Sequence, residues 1–129
     1  MQDRPTYDEL LAAIEHFLDT EIAPNVSGAR AFHARVSANA IRTIRRELAA
    51  EEEHLAAEWA GLDALLGAAE MPVGHAALRA AIRERNGALS AAIRDGLDDD
   101  RLHQVYAHVR ATVRNKISVS NPDLLDRSL

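Results

Sequence analysis

Residues 29–66 read ARAFHARVSANAIRTIRRELAAEEEHLAAEWAGLDALL, and this stretch decides the fold. It holds no proline and a single glycine, Gly61, while Ile41, Ile44, Leu48, Leu55, Trp59, Leu62 and Leu66 recur three, four or seven positions apart. Such spacing lines one face of an α-helix, so the stretch predicts one long helix over 29–66. At 1.5 Å per residue it would run to about 57 Å, twice what the helix before it can cover, so it must kink, project or pair with another copy. The run Ala49-Ala50-Glu51-Glu52-Glu53 is where a break is expected.

Working outward, a first helix is predicted over 6–22. Thr6 and Glu9 form a capping box, and Asp8 suits the positive end of the helix dipole. Its apolar positions are Leu10, Leu11, Ile14, Phe17, Leu18 and Ile22, and Pro24, Asn25, Ser27 and Gly28 make the loop that follows. Gly67 and Met71-Pro72-Val73-Gly74 end the long helix. A third helix over 75–96 carries Leu78, Ile82, Leu89, Ile93 and Leu97 on or just beyond it, closed near Gly96. Asp98 to Asp100 cap a fourth over 99–117, with Leu102, Val105, Tyr106, Val109, Val113 and Ile117 as its stripe. Asn121-Pro122 stops that helix, and residues 118–129 read as an extended tail. The expectation is an all-α chain, a single domain over 1–129 resembling a four-helix bundle with one long second helix and an extended C-terminal tail.

Composition agrees with helices and excludes several chemistries. The 129 residues are 47% hydrophobic, dominated by Ala and Leu, with one Trp, two Tyr and two Phe. There is no Cys, which removes thiol catalysis, disulfides and zinc ribbons. The formal charge of −5 argues against a general affinity for nucleic acid or anionic lipid. No stretch approaches the roughly 18 uninterrupted apolar residues of a membrane span, and Met1-Gln2-Asp3-Arg4-Pro5 has no apolar signal region. A cytoplasmic protein is expected.

A carboxylate three residues before a histidine occurs twice, as Glu51/His54 and Asp100/His103, a spacing that di-iron bundles use. Set at 100° per residue, the two pairs do not both face the predicted core, so they read as solvated helix faces and no metal or other cofactor is expected. His33, with Val36, Ser37, Ala40, Ile41 and Ile44, is expected on the inward side of the long helix's first half. Ser37 and Ser90 lack the strand-to-helix elbow of a nucleophilic serine.

Charge is polarised along the long helix. Residues 22–46 contain Arg30, Arg35, Arg42, Arg45 and Arg46 and no acid, whereas 47–58 contain Glu47, Glu51, Glu52, Glu53 and Glu58 and no base. A second basic run holds Arg101, Arg110, Arg114 and Lys116. The arginines suit a phosphate, a nucleotide tail or an acidic partner surface. The plainer reading is that Glu15, Asp19 and Glu21 neutralise the basic start of the second helix, as antiparallel packing would place them.

The stretch Gly28-Ala29-Arg30-Ala31-Phe32-His33-Ala34-Arg35-Val36-Ser37-Ala38-Asn39, with Arg46-Glu47-Leu48, Leu65-Leu66-Gly67 and Ile117-Ser118-Val119-Ser120-Asn121-Pro122, resembles a bacterial family of small all-helical proteins of unknown function. Tyr7-Asp8-Glu9-Leu10-Leu11 fits it as well. Genes of that family commonly lie beside aminoglycoside-phosphotransferase-like kinases and acyl-CoA dehydrogenases. The resemblance therefore implies an accessory role in acyl or hydroxy-acid catabolism. Two readings follow, with a metal-binding bundle as a weaker third. One is a non-enzymatic, homo-oligomeric interaction protein that meets such a kinase or dehydrogenase through Arg42, Arg45 and Arg46. The other is a small-molecule binder or enzyme holding an anionic acyl or phosphate group with Arg30, His33, Arg35 and Asn39.

Overall fold

The structure, a computed structural model, describes residues 3–126. Every regular element among them is helical: α1 (Tyr7–Phe17), a π turn (Leu18–Ile22), a 3-10 turn (Ala23–Asn25), α2 (Ala29–Leu66), α3 (His75–Asp95), α4 (Asp99–Ser120) and α5 (Asp123–Asp126). The chain is all-α. Its contacts gather into two compact units, one ending at Ala49 and the other beginning at Ala50. Glu51 to Glu53 interrupt nothing, because α2 has no non-helical residue between Ala29 and Leu66.

In the first unit the capping box forms: the Glu9 N–H donates to Thr6 Oγ1 at 3.2 Å, and the Thr6 N–H donates to Glu9 Oε2 at 2.7 Å. The regular helix ends at Phe17 rather than Ile22, and Pro24 supplies the reason. Its ring clashes with the carbonyl four residues back and it has no N–H to donate, so the backbone widens into the π turn and then tightens into the 3-10 turn. The Ala23 N–H donates to the Leu18 carbonyl across the wide turn, and Asn25 Nδ2 donates to the Glu21 carbonyl at 2.8 Å. Gly28, at φ +59°, then admits the start of α2.

Ion pairs fix α1 antiparallel to the first half of α2. Arg45 Nε and Nη2 grip both oxygens of Asp8 at 2.8 and 3.2 Å, and Arg45 Nη1 reaches Glu15 Oε2 at 2.8 Å. Arg42 Nε takes Glu15 Oε1 at 2.9 Å, and its Nη2 takes Asp19 at 2.6 Å. Burial alone would raise the Glu15 pKa, but hydrogen bonds from Arg45 and Arg42 outweigh it and leave the carboxyl below its ordinary value. The Arg45 hydrogen bond likewise holds Asp8 low. Asp8 and Glu15 in turn raise Arg45, and Glu15 ahead of Asp19 raises Arg42. The buried residues of this unit are Ala23, Ala31, Ala34 and Ala38, while Leu11, Leu18, Ile22 and Ile41 are only half-buried. Alanines bury little apolar area, so these charge pairs carry the register of the two helices.

The second unit has a conventional core. Trp59, Leu62 and Leu65 of α2 meet Leu78, Ile82 and Leu89 of α3 and Val105 of α4, with Leu55, Leu66, Ala81 and Leu97 packed against them. Two arginines close the C-terminal end of α2, where carbonyls lack helical partners. Arg85 stacks 4.6 Å over the Trp59 ring, pairs with Asp63, and donates from Nη2 to the carbonyls of Leu62 and Gly67 at 3.2 and 2.6 Å. Arg101 Nη2 donates to the Leu65 carbonyl at 2.6 Å. Asp98 caps α4, accepting from the Arg101 N–H at 2.8 Å.

The extended tail needs correcting at its start. Helix α4 continues three residues beyond Ile117 to Ser120, with the Ser118 and Ser120 hydroxyls donating back to the Asn115 and Lys116 carbonyls. Asn121-Pro122 does stop α4, and Pro122 stands just ahead of α5, where its missing N–H would be unpaired in any case. Residues 127–129 of the expected tail lie outside the described residues.

Leu62 has no exposure, and Leu62→Ala is expected to cost about 2–5 kcal/mol, read by urea unfolding followed through Trp59 fluorescence. The ion-pair network carries a pH signature. Asp8 and Glu15 titrate below their ordinary 3.8 and 4.5, so the stability they lend is complete above about pH 4.5 and is lost as pH falls through the lowered values. Amide exchange in α1, corrected for its intrinsic rate, accelerates in that acid window. Arg45→Ala removes a partner from both carboxylates and accelerates it by roughly tenfold already at pH 7; unchanged protection in the variant would contradict the assignment.

Candidate functional site

The seven residues singled out in the sequence lie on the first half of α2 and divide by environment. Arg42 and Arg45 are spent on Asp8, Glu15 and Asp19, much as the plainer reading supposed, with Asp8 taking the place expected for Glu21. Arg46 Nη2 donates to Thr43 Oγ1 at 3.1 Å. Arg30, His33, Arg35 and Asn39 are all exposed. At 100° per residue, Arg30 and His33 flank one side of the buried Ala31/Ala34/Ala38 stripe and Arg35 and Asn39 the other, so the helix does not bring the four together. His33 is not turned inward. Its ring lies edge-on to Phe32 with centroids 5.6 Å apart, and Val36, Ser37, Ala40 and Ile44 are exposed beside it, because the alanines occupy the shielded positions.

The two carboxylate–histidine pairs take other partners. Glu51 is held by Arg79 Nη2 at 2.5 Å and His75 Nδ1 at 3.4 Å, and His103 Nδ1 lies 2.7 Å from the Asp99 carbonyl. Among the described residues no three His, Asp or Glu side chains gather where they could hold a metal.

Two features of the structure do offer a site. The first is the outward face of α1. Tyr7, Leu10, Ile14 and Phe17 are between 45% and 61% exposed, and they fall within about 80° of one another on the helix. The ion-pairing acids Asp8, Glu15 and Asp19 occupy a separate arc, so charge holds one side of α1 and leaves an uncharged apolar strip on the other. Ile44 and Leu48 of α2 are nearly half exposed as well.

The second is a cleft of about 280 Å³ in the second unit, formed by Glu58 of α2, Asn86, Leu89, Ser90 and Ile93 of α3, and His108, Val109, Thr112, Val113 and Lys116 of α4. Its polar centre is the Glu58 carboxylate. Asn86 Nδ2 donates to Glu58 Oε1 at 2.8 Å, and Lys116 Nζ lies 3.9 Å from the same oxygen. The His108 imidazole lies against Gly61, where a Cβ would collide with it. Leu89, Ile93, Val109 and Val113 give the cleft its apolar walls.

None of the cleft's polar residues stood out as a site in the sequence. Glu58 and Lys116 lie inside charge runs, and a run gives no reason to prefer one member. A signal was nonetheless present: Gly61, Asn86 and Gly87 interrupt good helix formers in the interiors of α2 and α3, at a propensity cost that packing has to repay. Asn86 lines this cleft, and Gly61 lies against His108, which lines it too.

No helix among the described residues is long and apolar enough to cross a membrane. No curated protein and no solved structure matches the chain. A family model described as a domain of unknown function, DUF6285, matches residues 24–124, and the chain belongs to that family.

Proposed function

We propose that this protein is a homo-oligomeric interaction protein that associates through the apolar strip of α1. The observation that carries this reading is the strip's symmetry. In an antiparallel pairing of two α1 helices about a two-fold axis at Ala12, Tyr7 of one copy meets Phe17 of the other, and Leu10 meets Ile14, so a single surface complements itself. Each of these four side chains leaves on the order of 100 Å² uncovered, so the strip reaches roughly 400 Å², as large as the largest apolar patch on a typical monomer. Two α1–α2 hairpins joined in this way would complete an intermolecular four-helix bundle.

The arginines contribute differently from the sequence expectation. Arg42 and Arg45 support the pairing face from behind by holding α1 in place, which leaves them less able to receive an acidic partner. A phosphotransferase-like kinase or acyl-CoA dehydrogenase, the partner implied by the family resemblance, would meet the assembled dimer.

The test is sedimentation equilibrium of the full chain from 1 to 200 µM, with Leu10→Glu and Ile14→Glu variants. The wild type is expected as a dimer of the 14.1 kDa chain, and each variant as a monomer with unchanged helical circular dichroism, since both positions face outward. A wild-type monomer throughout that range, or a dimer indifferent to both substitutions, would overturn the reading. So would a monomer that forms a complex only when such a kinase or dehydrogenase is added.

A further inference from the structure

A carboxylate withdrawn from water needs compensation, and Glu15, Glu51 and Glu58 obtain it unequally. The Glu15 side chain, 16% exposed, binds two arginines, one through each oxygen. Glu51, 12% exposed, engages Arg79 through Oε1 and His75 through Oε2. Glu58 is the most shielded of the three at 11%, yet it has one neutral amide and one ammonium at the 3.9 Å limit of an ion pair, both on Oε1. That ammonium belongs to Lys116, a side chain 67% exposed and so extensively hydrated. Among the described residues none donates a hydrogen bond to Oε2 of Glu58, and that oxygen is not sealed from solvent.

The surroundings define what would complete it. Glu58 lines a cleft whose walls are aliphatic, and its open oxygen can only accept a hydrogen bond. An anion would meet the Glu58 charge, and a neutral alcohol would add no countercharge to the distant one that Lys116 supplies. An ammonium supplies both a donor and the countercharge, forming the short charge-assisted contact that Lys116 does not make. Thr112 and His108 line the same cleft and offer oxygen and nitrogen acceptors to the remaining N–H groups of such a head. At roughly 30 Å³ for each small heavy-atom group, 280 Å³ accommodates about nine, enough for a head and a short chain.

We propose that the cleft between α2, α3 and α4 is a binding site for a small alkylammonium, with its head on Glu58 and its chain along Ile93, Val109 and Val113. The site does not depend on the state of association of the chain. Nothing in it requires a bond to be made or broken: its chemistry is recognition of a cation with an apolar tail.

Isothermal titration of the full chain at pH 7 with n-hexylammonium, n-hexanol and n-hexanoate tests this directly. Hexylammonium is expected to bind at one site per chain, at least tenfold more tightly than hexanol, and hexanoate not at all. Glu58→Gln keeps the shape and removes the charge, and it is expected to weaken hexylammonium at least tenfold. Ile93→Trp, at a partly exposed wall position, fills the cleft without touching Glu58 and is expected to abolish binding, which keeps the test sound should Glu58→Gln disturb the fold. Nα-acetyl-lysine methylamide as a further titrant distinguishes a free amine from a lysine side chain offered by another protein. No heat from either ammonium up to millimolar concentration, equal affinity for hexanol, or binding unaffected by both substitutions would overturn the proposal.

Discussion

Two arginines on α2 gripping three carboxylates on and beside α1 are the constraint from which the first unit takes its form. Among the described residues its buried side chains are all alanine, so apolar burial specifies the register weakly and the charge pairs add to it. The same economy has a second effect. Because α1 is attached through its acidic side, Tyr7, Leu10, Ile14 and Phe17 are left exposed on the side facing away. The second unit follows the opposite plan, with Trp59, Leu62 and Ile82 buried and two of its arginines, Arg85 and Arg101, closing a helix end.

The helices were legible from the sequence because periodicity and capping are local. Thr6 and Glu9, Gly74, Gly96 and Asp98 mark termini that the backbone adopts, and α2 spans the residues its spacing implies. Two boundaries were less legible, each at a proline. Pro24 marks an ending and also distorts the helical path before it, while Asn121-Pro122 stops α4 as expected but is followed by one further turn. In both cases the outcome depends on where the missing N–H falls within a turn, which composition does not specify.

The site was much less legible, and for a different reason. Motifs direct attention to neighbours in sequence, such as Glu51 with His54 or Arg30 with His33. The cleft takes Glu58, Asn86 and Lys116 from three helices and becomes visible only when these pack. The arginines likewise looked most available where they were most engaged, since the acids that bind Arg42 and Arg45 lie some thirty residues earlier on an antiparallel neighbour. Helix-interior Asn86 and Gly61 were the only local departures pointing to the cleft.

The stacking of Arg85 on Trp59 has a spectroscopic consequence. Trp59 is the sole tryptophan, and it lies within the second unit beneath the guanidinium that closes the end of α2. Intrinsic emission therefore reports on the second unit and on the integrity of that closure. Melting of α1 from its arginine clamps would pass unseen in fluorescence while lowering the helical circular dichroism. The gap between two melting curves recorded on one sample would then measure how independently the two units unfold.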